Sequence, residues 1–175
     1  MNLRPLVCAP VLAAAALFGL GGCAAAPTRP ALSPDDTIKA AQQVLTDRCL
    51  TRQGLRPPRP GERAADSPAE QRGAAALFGH PPAELSLTLA NGIAVRAHTD
   101  GCLAAAQRTL YGDQKRWFEV STVVNNLRSE AAYRKTSLSA VRDGHHVEVT
   151  EWRRLRVHAF GASARVLRTA GRPAD

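Results

Sequence analysis

The residues best equipped for chemistry lie in a few places along the chain. His145, His146 and Glu148 form an H-H-x-E run, with Glu151 close behind. On a helix, His145 and Glu148 stand three apart and could share a metal ion through imidazole and carboxylate. His146, next to His145, would face another way. A Glu near a helix N-terminus is also favourable without any metal. No metal and no cofactor are therefore expected; His145, His146 and Glu148 remain the ligand candidates of an alternative, a small metal-dependent or hydrolytic enzyme. His98 and Asp100 suggest an acid–base pair, but Asp100 is equally placed to cap a helix. The sequence contains no G-x-S-x-G, no H-E-x-x-H, no phosphate-binding glycine loop and no C-x-x-C. Their absence favours binding or scaffolding over catalysis.

A second group is cationic. Arg153, Arg154, Arg156, Arg165, Arg168 and Arg172 crowd into the last part of a chain whose formal charge is +8. They could hold anionic lipid headgroups or an acidic wall polymer. The competing reading is a solvated face in an arginine-biased proteome, because arginine outnumbers lysine 20 to 3 and alanine is abundant. Nucleic acid is not expected as a partner, since the aromatic residues are not interleaved with the arginines. Trp117, Phe118 and Trp152 read as core.

The N-terminus sets the class. Met1 to Arg4 carries one positive charge, and Pro5 to Leu20 is uncharged and rich in Leu, Ala and Val. That is the layout of a secretory signal. Leu20-Gly21-Gly22-Cys23 resembles the bacterial lipobox, a Leu and two small residues before a Cys. The resemblance implies a thioether-linked diacylglycerol on Cys23 and cleavage before it. Residues 1–22 would then be the signal peptide, and residues 23–32, with Pro27 and Pro30, a short extended tether. At roughly 3 Å per residue its reach is on the order of 30 Å. The alternative is an uncleaved spanning helix, against which Gly21-Gly22 and two internal prolines argue. The expected location is the extracytoplasmic face of the cell membrane, with the membrane as partner through the lipid on Cys23 and any protein partner unidentified.

Cysteine arithmetic follows. Cys8 leaves with the leader and Cys23 takes lipid, so Cys49 and Cys102 remain outside the cytoplasm, where pairing is the default. The closed loop would hold just over 50 residues, for which chain entropy gives about 4 kcal/mol. The alternative is two buried free thiols.

The rest of the chain predicts one domain over 33–175, mainly helical (α+β), with a single β-hairpin and the disulfide joining helices 1 and 2, the first helix and the one after the hairpin. Ser33 caps the first helix, Pro34 fits its first position, and Gly54 stops it. Ile38, Ala41, Leu45 and Cys49 make its apolar face. Residues 55–73, with four prolines, read as a loop, and Ala74 to Phe78 as an apolar helical turn. Leu85 to His98 is a hairpin. A two-residue Asn91-Gly92 turn would pair Leu87 with Arg96. A three-residue Ala90-Asn91-Gly92 loop pairs Leu89 with Ile93, Leu87 with Val95 and Leu85 with Ala97. Only the longer loop puts the apolar residues on one face, so it is preferred.

A helix capped by Thr99 or Asp100 should run to Tyr111. Asp113 should cap another, carrying the stripe Trp117, Val120, Val124, Leu127 and Ala131, with Arg128, Lys135 and Arg142 seven apart beside it. From Asp143 to Gly161 both helix and strand patterns fit; helix is preferred, with Asp143 as cap and Gly161 as stop. Ser163 to Thr169 adds a short basic helix.

Arg48-Cys49-Leu50 with Gly54, Asp100-Gly101-Cys102-Leu103 through Leu110-Tyr111-Gly112-Asp113, and Trp117-Phe118 are together similar to a loose group of uncharacterised small secreted proteins and lipoproteins of actinobacteria. The likeness covers roughly residues 33–161. A late helix in that group often has Trp followed three residues on by Cys, but here Leu155 follows Trp152. The resemblance implies the disulfide and the helical fold and transfers no activity.

Overall fold

Ser33 accepts a hydrogen bond from the Asp36 backbone N–H at 3.1 Å, with Pro34 next in the chain. The first helix, α1 (Pro34–Arg52), therefore starts where its capping residues stand. It ends by paired bonds from the Gly54 N–H to the Thr51 carbonyl and from the Leu55 N–H to the Leu50 carbonyl, a Schellman closure. The computed structural model describes residues 31–58 and 67–171. Cys23, residues 1–22 expected to form the leader, and Arg172 lie outside the described residues.

The expected 55–73 loop is shorter than the prolines implied. Ser67 accepts from the Glu70 N–H, Pro68 takes the first helical position, and α2 runs Pro68–Phe78. A proline at that position costs the helix nothing, because its missing N–H would have had no partner there. Strands β1 (Leu85–Thr88) and β2 (Ala94–Ala97) follow as an antiparallel pair. Leu85 lies opposite Ala97 and Leu87 opposite Val95. The loop is closed by the Leu89 N–H to the Ile93 carbonyl and the Gly92 N–H to the Leu89 carbonyl. This is the three-residue register, with Gly92 at φ +83 as that loop demands.

Helix α3 covers Gly101–Tyr111, and α4, capped by Asp113, covers Gln114–Tyr133. The Arg128–Lys135–Arg142 series does not lie on one helix. α4 stops at Tyr133, with Lys135 at φ +52 and the Thr136 N–H bonded to the Ala131 carbonyl. Ser137 then caps a short α5 (Leu138–Gly144). Asp143 is thus inside α5 and caps nothing. The last helix, α6, spans His146–Ala170. Gly161 does not stop it, and the separate Ser163–Thr169 helix is part of it. Gly161 sits on the solvent side, where a helical glycine costs only about 1 kcal/mol.

Helix α6 is the hub, packing on α1, α3 and α4. The main core joins Ile38 and Ala41 of α1, Leu110 and Tyr111 of α3, Val120 of α4, and Leu155, Ala159 and Ala162 of α6. Ala41 and Ala159 are fully buried, and residues this small let helix axes approach closely. Tyr111 stacks on Trp117 at 3.7 Å between centroids, and burial pushes its hydroxyl up to about 12. A second, smaller core of Leu127, Ala131, Val141 and Val149 holds α4, α5 and the start of α6 together. Residues Leu32–Asp175 form one compact unit.

Cys49, near the end of α1, is bonded to Cys102, in the first turn of α3, across a sequence separation of 53. Reducing this bond in the 32–175 chain, or introducing Cys49→Ser with Cys102→Ser, should destabilise it by up to about 4 kcal/mol. The measurement is the urea midpoint with and without reductant; coincident midpoints would refute the assignment.

Candidate functional site

From Trp152 to Ala170, α6 carries five arginines and no Asp or Glu. It buries Val149, Leu155, Ala159, Ala162 and Ser163 on one side. The helical turn of 100° per residue then places Arg153, Val157, Phe160, Ala164 and Arg168 on the other. Val157 is 74% exposed and Phe160 42%. A single exposed apolar residue is ordinary. Two on one face, with arginines before and after them, make a face suited to a lipid–water interface.

The five arginines of α6 are not equivalent. Arg154 is engaged with Glu151 through two bonds, from Nε at 2.8 Å and Nη2 at 2.6 Å. That pairing holds the Glu151 carboxyl below its ordinary range and raises the Arg154 guanidinium. Arg156 pairs with Asp35 at the start of α1 and lies over the Trp152 ring at 4.5 Å, so it pins α6 to α1. Arg153, Arg165 and Arg168 have no ion pair or side-chain hydrogen bond among the described residues. Arg153 also borders a groove with Arg128 and Arg142, two residues that the sequence did not connect with it.

His145, His146 and Glu148 do not converge. His145 Nε2 meets Glu130 at 3.0 Å and its Nδ1 lies 3.7 Å from Glu148. His146 turns to the Asp143 carbonyl. Arg134 completes the set on Glu130 at 2.8 Å. The arrangement bridges the end of α4 to the start of α6.

Another polar cluster surrounds His98 and Asp100. Asp100 stands at the N-terminus of α3, but its side chain makes no helix cap. Its carboxylate instead accepts from the His80 backbone N–H at 3.0 Å and pairs with the His80 ring at 3.1 Å. Glu84 accepts from the Thr99 N–H at 2.8 Å. Gln114, buried at the start of α4, donates to the His98 carbonyl at 2.8 Å, and Arg108 donates to both Thr99 and Gln114. The chain crosses itself here: a Cβ on Gly101 would lie 2.7 Å from the Gly79 nitrogen, so the crossing excludes any side chain at 101. Glu84, His98 and Asp100 bring ligand atoms within 4.8 Å of one another. Both carboxylates already have backbone donors, so the cluster acts as a clasp between the two ends of the hairpin and the helices.

Among the described residues no helix is long and apolar enough to cross a membrane. Comparison with protein-family models, characterised proteins and solved structures finds no match for the chain.

The clasp generates a pH dependence. The His80 backbone N–H, followed by its ring, holds the Asp100 carboxyl below its ordinary value. The Thr99 N–H does the same for Glu84. A carboxyl depressed in the folded state contributes stability above its unfolded value, about 4. That contribution is lost as pH falls through the folded value. Between pH 6 and pH 3 the urea midpoint of wild type should therefore drop further than that of Asp100→Asn with Glu84→Gln. Parallel drops would show that the clasp carries no charge-dependent stability.

Proposed function

We propose that the chain is an exported, lipid-anchored domain of the cell envelope that lies against an anionic membrane surface through the outer face of α6. The observation that carries this reading is the exposed Val157–Phe160 pair with the unpaired Arg153 and Arg168 on the same face and the unpaired Arg165 on the adjoining side of the helix. Arginines that have internal partners are held away from anions by those partners; these three have none among the described residues. Apolar side chains entering the headgroup region add burial to the Coulomb attraction. The Leu20–Cys23 pattern and the two remaining cysteines support export and tethering. The lipid on Cys23 would supply the permanent anchor, because two acyl chains hold far more firmly than one. The protein face would then set orientation and lipid preference.

Two experiments address the two halves of the proposal. In cells, Cys23→Ser should release the chain from the membrane fraction and remove the mass of the attached lipid. A variant that stays with the bilayer at unchanged mass would overturn the anchor. In solution, the 32–175 chain should sediment with vesicles containing phosphatidylglycerol, less so at high salt, and not with neutral vesicles. Each arginine near such a surface contributes about 1 kcal/mol, so replacing Arg153, Arg165 and Arg168 by Gln should weaken partitioning on the order of 100-fold. Equal binding to neutral vesicles, or indifference to salt, removes electrostatic docking.

A further inference from the structure

Arg128 on α4, Arg142 on α5 and Arg153 on α6 border one groove of about 390 Å³. Its lining holds no Asp or Glu. None of the three guanidinium groups has an ion pair or side-chain hydrogen bond among the described residues, and all three side chains are exposed. Between them the floor is apolar, formed by Val124, Leu127, Leu138 and Val149 with Trp152 at the side. Leu127 and Val149 belong to the second core, and Val124 and Leu138 pack on it, so the floor is fixed by folding. The volume lies within the range of small-molecule sites.

Two features decide the ligand class. Three like charges around one hollow repel one another, and nothing beside them neutralises the repulsion, so an anion is favoured there. Arginine offers planar, bidentate donors that match carboxylate and phosphate oxygens. The floor, in contrast, gains only from apolar contact. A small inorganic anion would satisfy the rim and leave the floor wet, and a neutral hydrocarbon would do the reverse. We propose that this groove binds a single-chain anionic amphiphile, its head between Arg128, Arg142 and Arg153 and its chain along Val124, Leu138 and Trp152. The head can be a carboxylate or a phosphate ester, and the molecule can come free from solution or as a lipid from the bilayer.

The site does not depend on the anchor or on the outer face of α6, although Arg153 serves both. The test uses the 32–175 chain, which forms a compact unit, and dodecanoate below its micellar concentration. Binding is followed by tryptophan fluorescence, since Trp152 lines the groove, and by calorimetry. One dodecanoate per chain is expected, with dodecyltrimethylammonium, acetate and inorganic phosphate all much weaker.

Arg128→Gln with Arg142→Gln leaves Arg153 in place and should weaken dodecanoate roughly 100-fold, taking two charge-assisted contacts at about 1.5 kcal/mol each, while vesicle sedimentation is kept. Asn125→Glu, at an exposed rim position, should also weaken it by adding a carboxylate. Val157→Ser with Phe160→Ser should leave it unchanged. Competition by lysophosphatidylglycerol, which has one acyl chain, would identify a bilayer-derived lipid as an occupant, and its absence a free amphiphile. Equal binding of the cationic and anionic detergents, phosphate binding as tight as dodecanoate, or unchanged affinity in the double arginine variant would overturn the proposal.

Discussion

The burial of one side of α6 is the constraint from which the rest follows. Leu155, Ala159, Ala162 and Ser163 are inside, against α1, α3 and α4. A helix rotates 100° per residue, so fixing those four positions also fixes where Arg153, Val157, Phe160 and Arg168 point. The small side chains matter as much as the large one. Ala159 meets the core with no exposed surface, as does Ala41 of α1, and a larger residue at either position would have to push helices apart or leave its rotamer. The exposed face is therefore a consequence of close packing on the opposite side. It could not be rotated toward the core without losing the contacts that define the fold.

Much of that fold was legible, because local chemistry and tertiary packing agree. Ser33 and Pro34 open α1, Gly54 closes it, and the alternation of Leu85, Leu87, Val95 and Ala97 fixes the hairpin register. The two cysteines stand at helix ends that packing brings together. Sequence reasoning failed where punctuation and structure part. The stop after Tyr133 is made by Lys135 in a left-handed conformation that glycine usually marks. Gly161, which does look like a stop, lies inside α6. The buried stripe on both sides of Gly161 overrides its low helix propensity.

The candidate site was legible only in part, for a different reason. Counting arginines in α6 finds the right segment but cannot tell which charges are already in use. The Arg154–Glu151 pair is local, three residues apart, and follows from helical spacing. The Arg156–Asp35 pair joins the last helix to the first and needs the tertiary fold. Arg128 and Arg142 share a groove for the same kind of reason. Their places in a seven-residue series with Lys135 implied one helical face, yet they meet because α4 ends and α5 begins between them. His80, Glu84, Arg108 and Gln114 carry no motif. Only the close crossing of Gly79 and Gly101 brings the loop that holds His80 and Glu84 against the helices that hold Arg108 and Gln114.

Charge alone does not choose between the two polar regions of the molecule; satisfaction does. In the clasp, the Asp100 and Glu84 carboxylates accept from backbone N–H groups, and the guanidinium of Arg108 donates to Thr99 and Gln114. Their hydrogen-bonding capacity is largely used in holding the hairpin ends, which is structural work. Around α6, by contrast, Arg128, Arg142, Arg153, Arg165 and Arg168 have no internal partner among the described residues, and the first three border an apolar groove. A folded chain with a net excess of cations must leave some of them unpaired. Here Arg153 and Arg168 share a helix face with Val157 and Phe160, and Arg128, Arg142 and Arg153 border the groove, so an anion that also carries an apolar part gains on both counts at either place. A partner offering only charge, or only hydrocarbon, would leave half of that surface without a counterpart.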